Sequence, residues 1–331
     1  MGSSSNTNLE LPDYISDVIA EFMKAQLSCV SQALIPRTSR SPVVLCVIKD
    51  EMDRLPDFLN HYRSANIERF VFIDNNSSDE TALYLSRQPD VDLYQIASPF
   101  IWTRKQGWIN LAIALTGRSP NSWYIYVDSD EHIVYDGYPH RTFEDLVRWA
   151  ESLGLRRVRG MLVDMYAEGP LLCSKYFSGQ SLSETYPLFD SDGYVETRTK
   201  EIISRKGGPR VRAFGTANAD FRPEMTKYPL FKLDYNELFV NPHHIWPYDA
   251  NFYSDCYLGV LHYKFLPNLI SKMEKAISEL SYWSNSIEYK CYQNILSSNP
   301  DLSLLYSGSL RYQGPHSLIS ARYIREISWK L

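Results

Sequence analysis

The first long-range pattern in the chain is a helical spacing of apolar residues. Between Leu11 and Leu34 they fall at Ile15, Val18, Ile19, Phe22, Met23 and Leu27, as on one amphipathic helix. The small, polar residues Met1 to Asn8 read as a disordered tail, and Pro36 to Pro42 as a linker. From Val43 the pattern changes to short β-branched runs separated by helical segments, the signature of a parallel α/β sheet. Strands are predicted over 43–48, 69–73, 91–96 and 123–127, and helices over 55–66, 81–87 and 105–116, a βαβαβαβ succession. A further strand follows over 157–163. Beyond it the chain, rich in Gly, Pro, Tyr and charge, reads as irregular to about Asn251. The run 259–265 reads as a last strand and 269–296 as one long helix.

Composition narrows what such a chain can be. Its 331 residues, 44% hydrophobic, suffice for a sizeable core, so disorder is excluded as a description of the whole. With 34 basic and 39 acidic residues the net charge is -5, and no global basic field recruits nucleic acid. The 24 Tyr and 7 Trp suit a protein that stacks planar or sugar rings, although core filling explains any one of them as well. The cysteines at 29, 46, 173, 256 and 291 are widely spaced and odd in number, which fits a reducing cytoplasm. No leader is evident, and no stretch approaches the roughly eighteen apolar residues of a membrane span.

Two polar clusters, Asp74 to Asp79 and Asp128 to Glu131, directly follow hydrophobic strands. In open parallel sheets, ligands bind outside the carboxyl ends of the strands. In Asp128-Ser129-Asp130 two carboxylates leave a buried strand at i and i+2. They can share one hard divalent cation, Mn2+ or Mg2+, with positions left for diphosphate oxygens. A bare D-x-D also occurs in ordinary turns. Here Glu131 adds a third acidic group, and mutual repulsion favours a cation.

In order, Val47-Ile48-Lys49-Asp50-Glu51, then Phe72-Ile73-Asp74-Asn75-Asn76-Ser77-Ser78-Asp79-Glu80-Thr81, then Tyr126-Val127-Asp128-Ser129-Asp130-Glu131 resemble the successive motifs of family 2-like GT-A glycosyltransferases. Further on, Lys206-Gly207-Gly208-Pro209-Arg210, Thr226-Lys227-Tyr228-Pro229-Leu230 and Leu261-His262-Tyr263-Lys264-Phe265 are similar to a bacterial branch of that group. The resemblance implies a GT-A fold, with a Rossmann-like, mostly parallel central sheet flanked by helices and a helical C-terminal extension. It divides the chain into a tail and helix over 1–41, a catalytic domain over 42–266 and the extension over 267–331. The catalytic domain has a nucleotide-binding half, 43–134, and an acceptor half, 135–266. It implies a metal-dependent, hexosyltransferase-like enzyme that uses a nucleotide-sugar, UDP-linked by family preference. The acceptor would be a glycan or a lipid-linked saccharide of a bacterial surface polysaccharide, with inversion as the expected course. Peripheral contact with the inner face of a membrane follows only by analogy with such enzymes.

The resemblance also assigns residues. Asp74 would meet the uracil or ribose, or else cap an Asx turn, and Glu51 would sit beside the nucleoside or open a helix. Near the diphosphate, Arg104 and Lys105 are candidate cations, or else a solvated helix face, and Gln106 or Asn110 would hydrogen-bond the sugar, with Gln106 the one chosen. His262 would complete a metal shell with Asp128 and Asp130, and Lys264, on the same strand face, would neutralise the leaving diphosphate. Arg205, Lys206, Arg210 and Arg212 around Gly207-Gly208 form a dense basic cluster, with Arg210 as the donor contact; an exposed hairpin is the alternative. Lys227 resembles a donor-binding position of the same type. For the catalytic base, Asp164 at a strand end stands first, then Glu168 and Asp234. A nucleotidyltransferase would show a glycine-rich phosphate loop after the first strand, and 47–53 has none. A non-catalytic carbohydrate-binding protein of the same fold is the other alternative.

Overall fold

The structure, a computed structural model, describes residues 13–37, 40–117, 122–199, 203–248, 255–279 and 283–329. The tail read over Met1 to Asn8, the predicted helix start at Leu11, and Asn251 and Tyr282 lie outside the described residues.

The βαβαβαβ reading is observed almost to the residue. In chain order the elements are β1 (Ser28–Ser31), β2 (Val43–Ile48), α2 (Leu55–Ser64), β3 (Phe70–Asp74), α3 (Thr81–Ser86), β4 (Val91–Gln95), α4 (Trp102–Leu115) and β5 (Trp123–Tyr126), with α1 (Asp13–Lys24) ahead of them. β2, β3, β4 and β5 pair in parallel in the spatial order β4-β3-β2-β5. Every residue of β2, β3 and β5 is buried, because helices cover both faces. Successive side chains point to opposite faces. Val44, Cys46 and Ile48 therefore pack with Phe58 and Tyr62 of α2, while Val43, Leu45 and Val47 pack with Trp108 and Ile109 of α4.

The sheet extends on both sides of this half. β6 (Glu131–Val134), β7 (Arg157–Asp164), β11 (Thr226–Lys232) and β14 (Cys256–His262) complete nine strands in the order β1-β4-β3-β2-β5-β11-β7-β14-β6. Six strands run one way; β1, β11 and β6 run against them. The result is an α/β architecture with a mostly parallel central sheet flanked by helices, as expected.

Four expectations are corrected. The first helix stops at Lys24, and the chain returns as the exposed edge strand β1 against β4; Leu27 continues the apolar period but lies beyond the helix. The stretch to 251 is not irregular. It holds α6 (Leu182–Thr185), short strands β8 (Leu188–Asp190), β9 (Tyr194–Arg198) and β10 (Ile203–Gly207), α7 (Pro209–Phe214), the hairpin β12 (Leu238–Asn241) with β13 (His244–Trp246), and the central strand β11. Pro229 disguises β11, because proline cannot donate to a ladder; here it falls where the register with β7 shifts between Lys227 and Leu230. The last strand ends at His262, not Phe265. The long C-terminal helix is two, α8 (Leu269–Glu279) and α9 (Trp283–Ser298), pinned together by a hydrogen bond from Ser286 Oγ to the Ala276 carbonyl at 2.7 Å. The remaining elements are α5 (Phe143–Ser152), β15 (Ser309–Arg311), which pairs with β8, and α10 (Pro315–Ser320). Among the described residues no helix is long and apolar enough to cross a membrane.

Candidate active site

Strand direction decides where the chemistry collects. β2, β3, β5, β7 and β14 all deliver their carboxyl ends to one edge of the sheet, and the antiparallel β6 and β11 begin there. Lys49 to Glu51, Asp128 to Glu131, Asp164, Lys227 and His262 thus come from distant parts of the sequence to a single edge. A cavity of about 460 Å³ opens between the ends of β2 and β5, where the strand order reverses and such sheets bind ligands. Asp50, Glu51, Asp128, Asp130, His262 and Lys264 are in its wall.

Asp128 faces the cavity with Oδ1 accepting from Lys105 Nζ at 2.5 Å and from the Tyr126 hydroxyl at 2.9 Å. Burial pushes its pKa up, but the Lys105 and Lys227 cations outweigh this and hold it well below the usual carboxylate range. Asp130 lies 3.5 Å from the Arg54 guanidinium and 3.7 Å from His262 Nε2. Burial raises it too, and His262 and Arg54 bring it below its ordinary value. Glu131 sits behind them. Its side chain is buried in an ion pair with Lys227 and also accepts the Asp128 N–H at 3.1 Å. Burial dominates there, and its pKa is raised.

Behind His262 runs a buried relay. His262 Nδ1 lies 2.6 Å from Asp164 Oδ1, and Arg210 Nε donates to Asp164 Oδ2 at 2.8 Å. Arg210 also donates to Glu288 at 3.1 Å, and Lys264 lies 3.7 Å from the same carboxylate. Burial would raise Glu288, yet Lys264 and Arg210 hold it at about 2. A carboxylate on one imidazole nitrogen fixes the ring and presents the other, the arrangement that supports histidine ligands of metals. Oxygen and imidazole atoms of Asp130, Glu131 and His262 lie within 4.8 Å of one another. Their chemistry fits a hard divalent cation. Of the acidic residues, Asp128 and Asp130 face the cavity, whereas Glu131 is occupied by Lys227.

The remaining expected residues divide cleanly. Glu51 lines the cavity, held by Arg54 at 2.7 Å and Lys272 at 2.6 Å, and Lys264 lines it although it lies past the end of β14. Asp74 does not: fully buried, it accepts from the Ser77 N–H and hydroxyl and from Gln95 at 3.3 Å, the Asx-turn role. Gln106 is buried and absent from the wall; its neighbour Lys105 is the residue on Asp128. Lys227 and Arg210 stand behind the wall, the first on Glu131 and the second on Asp164. The basic cluster splits: Arg205 and the exposed Lys206 lie on the β9–β10 hairpin, the alternative reading, whereas Arg210 is buried on α7. Arg205 pairs with Glu196 and Arg212 with Asp190. Asp164 is fully buried and reaches the cavity only through His262. Glu168 is well exposed and paired with Arg311 at 2.5 Å, and neither it nor Asp234 lines the cavity.

Sequence reading placed a helix here but missed that α8 contributes to the site. Its residues Lys272 and Lys275 close one side of the cavity through ion pairs with Glu51 at 2.6 Å and Asp50 at 2.8 Å. Their i, i+3 spacing places them on one helix face and was the available signal.

No family model matches the chain, and no curated protein is found similar to it. Among solved structures, 4-diphosphocytidyl-2C-methyl-D-erythritol synthase aligns over 59% of this chain and 75% of its own, at 12% identity and a TM-score of 0.28. That likeness is too low to carry an argument.

Proposed function

We propose that the chain is a metal-dependent glycosyltransferase that moves a sugar from a nucleotide-sugar, UDP-linked, to a hydroxyl of a saccharide or lipid-linked saccharide acceptor. The observation that carries this reading is the pairing in the wall of one cavity. Asp128, Glu51 and Asp50 are each matched to a lysine, Lys105, Lys272 and Lys275. Such a wall is self-neutralised, and it can trade partners: a divalent cation takes carboxylates and a diphosphate takes the lysines. A ligand made of a cation and a diphosphate meets both halves at once.

Asp128, Asp130 and His262 would hold the metal, with Asp164 fixing the His262 ring from behind as a positioning residue. When bound, the metal supplies Lewis-acid stabilisation of charge on the departing diphosphate. Lys105, paired with Asp128, and Lys264 are both in the wall and would add fixed positive charge where the diphosphate leaves. Glu51 and Asp50, which line the same crevice past the end of β2, would lie beside the nucleoside once their lysines turn to the diphosphate. The acidic sequence candidates Asp164 and Glu168 are left without contact to the reacting atoms in this reading.

The test is a thermal-shift panel of UDP, GDP, CDP and TDP, each with and without manganese. A manganese-dependent rise with one nucleotide, lost in Asp128→Ala and Asp130→Ala, supports the donor site. Hydrolysis of the matching nucleotide-sugar to the nucleoside diphosphate then separates a transferase from a nucleotidyltransferase, which releases pyrophosphate. No shift with any of the four would sink the proposal.

A further inference from the structure

A second cavity, of about 480 Å³, lies on the opposite face of the β14–β6 edge. Alternation along the strands sets this up. β14 turns His262 to the acidic cavity and Leu261 and the following Tyr263 to the other, while β6 turns Glu131 one way and His132 the other. The two cavities therefore take alternate residues along β14 and share no lining residue. Both volumes fall in the range of small-molecule sites.

One wall is a column of stacked rings. His132 and His61 stack with centroids 4.2 Å apart at 14°, and Tyr138 stacks on His61 at 4.8 Å and 28°. His61 is fully engaged, with Nε2 on the Ile133 carbonyl at 2.8 Å and Nδ1 on the Tyr138 hydroxyl at 2.9 Å. His132 is not: it is 2% exposed, and its Nε2 has no hydrogen-bond partner. A buried polar atom left in this condition costs stability unless something binds it. The facing wall comes from the far end of the chain, where β15 pairs with β8 and carries Tyr312 and Gln313 over the opening.

The charges select the ligand. Burial lowers the His61 imidazole to about 4, so that ring is uncharged at neutral pH. Among the described wall residues the one lysine or arginine is Arg311, already paired with Glu168 at 2.5 Å. An anion would find no unpaired cation there. What the wall offers is aromatic surface beside hydroxyl, amide and imidazole groups and the Glu184 carboxylate, a hydroxyl acceptor, which matches a ring with one C–H face and a rim of hydroxyls.

We infer that this second cavity binds a neutral saccharide, separately from the acidic cavity and independently of the donor reading. The ligand's C–H face lies against the aromatic residues, and a hydroxyl satisfies His132 Nε2.

Saturation-transfer NMR on the full chain tests it with maltotriose, cellotriose and chitotriose, each at about 10 mM, enough to fill most of a site of millimolar affinity. Transfer to at least one trisaccharide is expected, unchanged by UDP with manganese. His132→Phe, which keeps the ring and removes the unpaired nitrogen, and Tyr312→Ala should each cut the signal about fivefold or more. Tyr312 is half-buried on a surface segment, so Tyr312→Ala decides the matter alone if His132→Phe fails to fold. The inference is overturned if no trisaccharide receives saturation, if the signal survives Tyr312→Ala, or if UDP with manganese abolishes it.

Discussion

Asp164 shows how one position can suit two roles, a base at a strand end or a buried partner of a histidine. Its position at the end of a hydrophobic strand made it a candidate base, but that position also buries it completely, between His262 and Arg210. Its charge serves the ring of His262 rather than a substrate. Asp164→Asn should raise the manganese needed for a given UDP-dependent thermal shift about tenfold, because the ring loses its anionic partner. It should also destabilise the fold by about 3 kcal/mol, since Arg210 stays buried with half its counter-charge gone. Glu168→Gln, on the exposed Glu168, should change neither. Asp57 gives a test of a different kind. Burial raises its carboxyl to about 6 from an ordinary 3.8, with the Leu182 N–H bond opposing. The folded chain therefore holds this proton more tightly than the unfolded chain does. The stabilisation is complete below about pH 4 and lost as pH rises through 6, and allowing for partial exposure amounts to about 2 kcal/mol. Asp57→Asn should accordingly be about that much more stable than the parent in denaturant at pH 7.5, with the gap closing by pH 4.5. Residues such as Asp128, Asp130 and Glu51 were legible because a strand end announces them. Whether Asp74 faced a ligand or its own turn was not, since the same D-x-x-S spacing serves both and only Ser77 and Gln95 decide it.

At the level of elements, periodicity read the parallel half well because both faces of β2, β3 and β5 are covered and their apolar runs are unbroken. It failed where another demand overrode it. Pro229 hid β11, and continuous apolar spacing joined α1 to β1 and α8 to α9. The helix that carries Lys105 exposes a further constraint. α4 crosses α1 so closely at Gly107 that an added Cβ would lie 2.6 Å from the Phe22 nitrogen and 2.7 Å from the Glu21 carbonyl carbon. Both are backbone atoms and cannot rotate away. Gly107→Ala should thus push α1 off α4, costing about 2 to 3 kcal/mol despite the better helix propensity of alanine. A fall in the denaturation midpoint checks this, whereas an unchanged or raised midpoint would mean that the close crossing is not maintained in solution.

Across the whole molecule, the C-terminal extension is part of the cavity rather than an appendage to it. Lys264, Lys272, Lys275 and Tyr289 all belong to the last third of the chain, yet they line a crevice built by β2 and β5. No pattern in the sequence links Lys272 to Glu51, 221 positions away; the parallel sheet brings the partners together by collecting strand ends on one edge. The link has a functional consequence. Lys272 and Lys275 hold α8 against the β2 loop through carboxylates, and a bound diphosphate would compete for the same ammonium groups. Lys272→Ala with Lys275→Ala should therefore weaken UDP–manganese binding about tenfold, and the affinity that remains should depend less steeply on salt than that of the parent. Titrations at low and high ionic strength separate the outcomes. Equal loss at every salt concentration would show that the lysines matter only for the packing of α8, and no loss at all would remove the C-terminal helices from the nucleotide site.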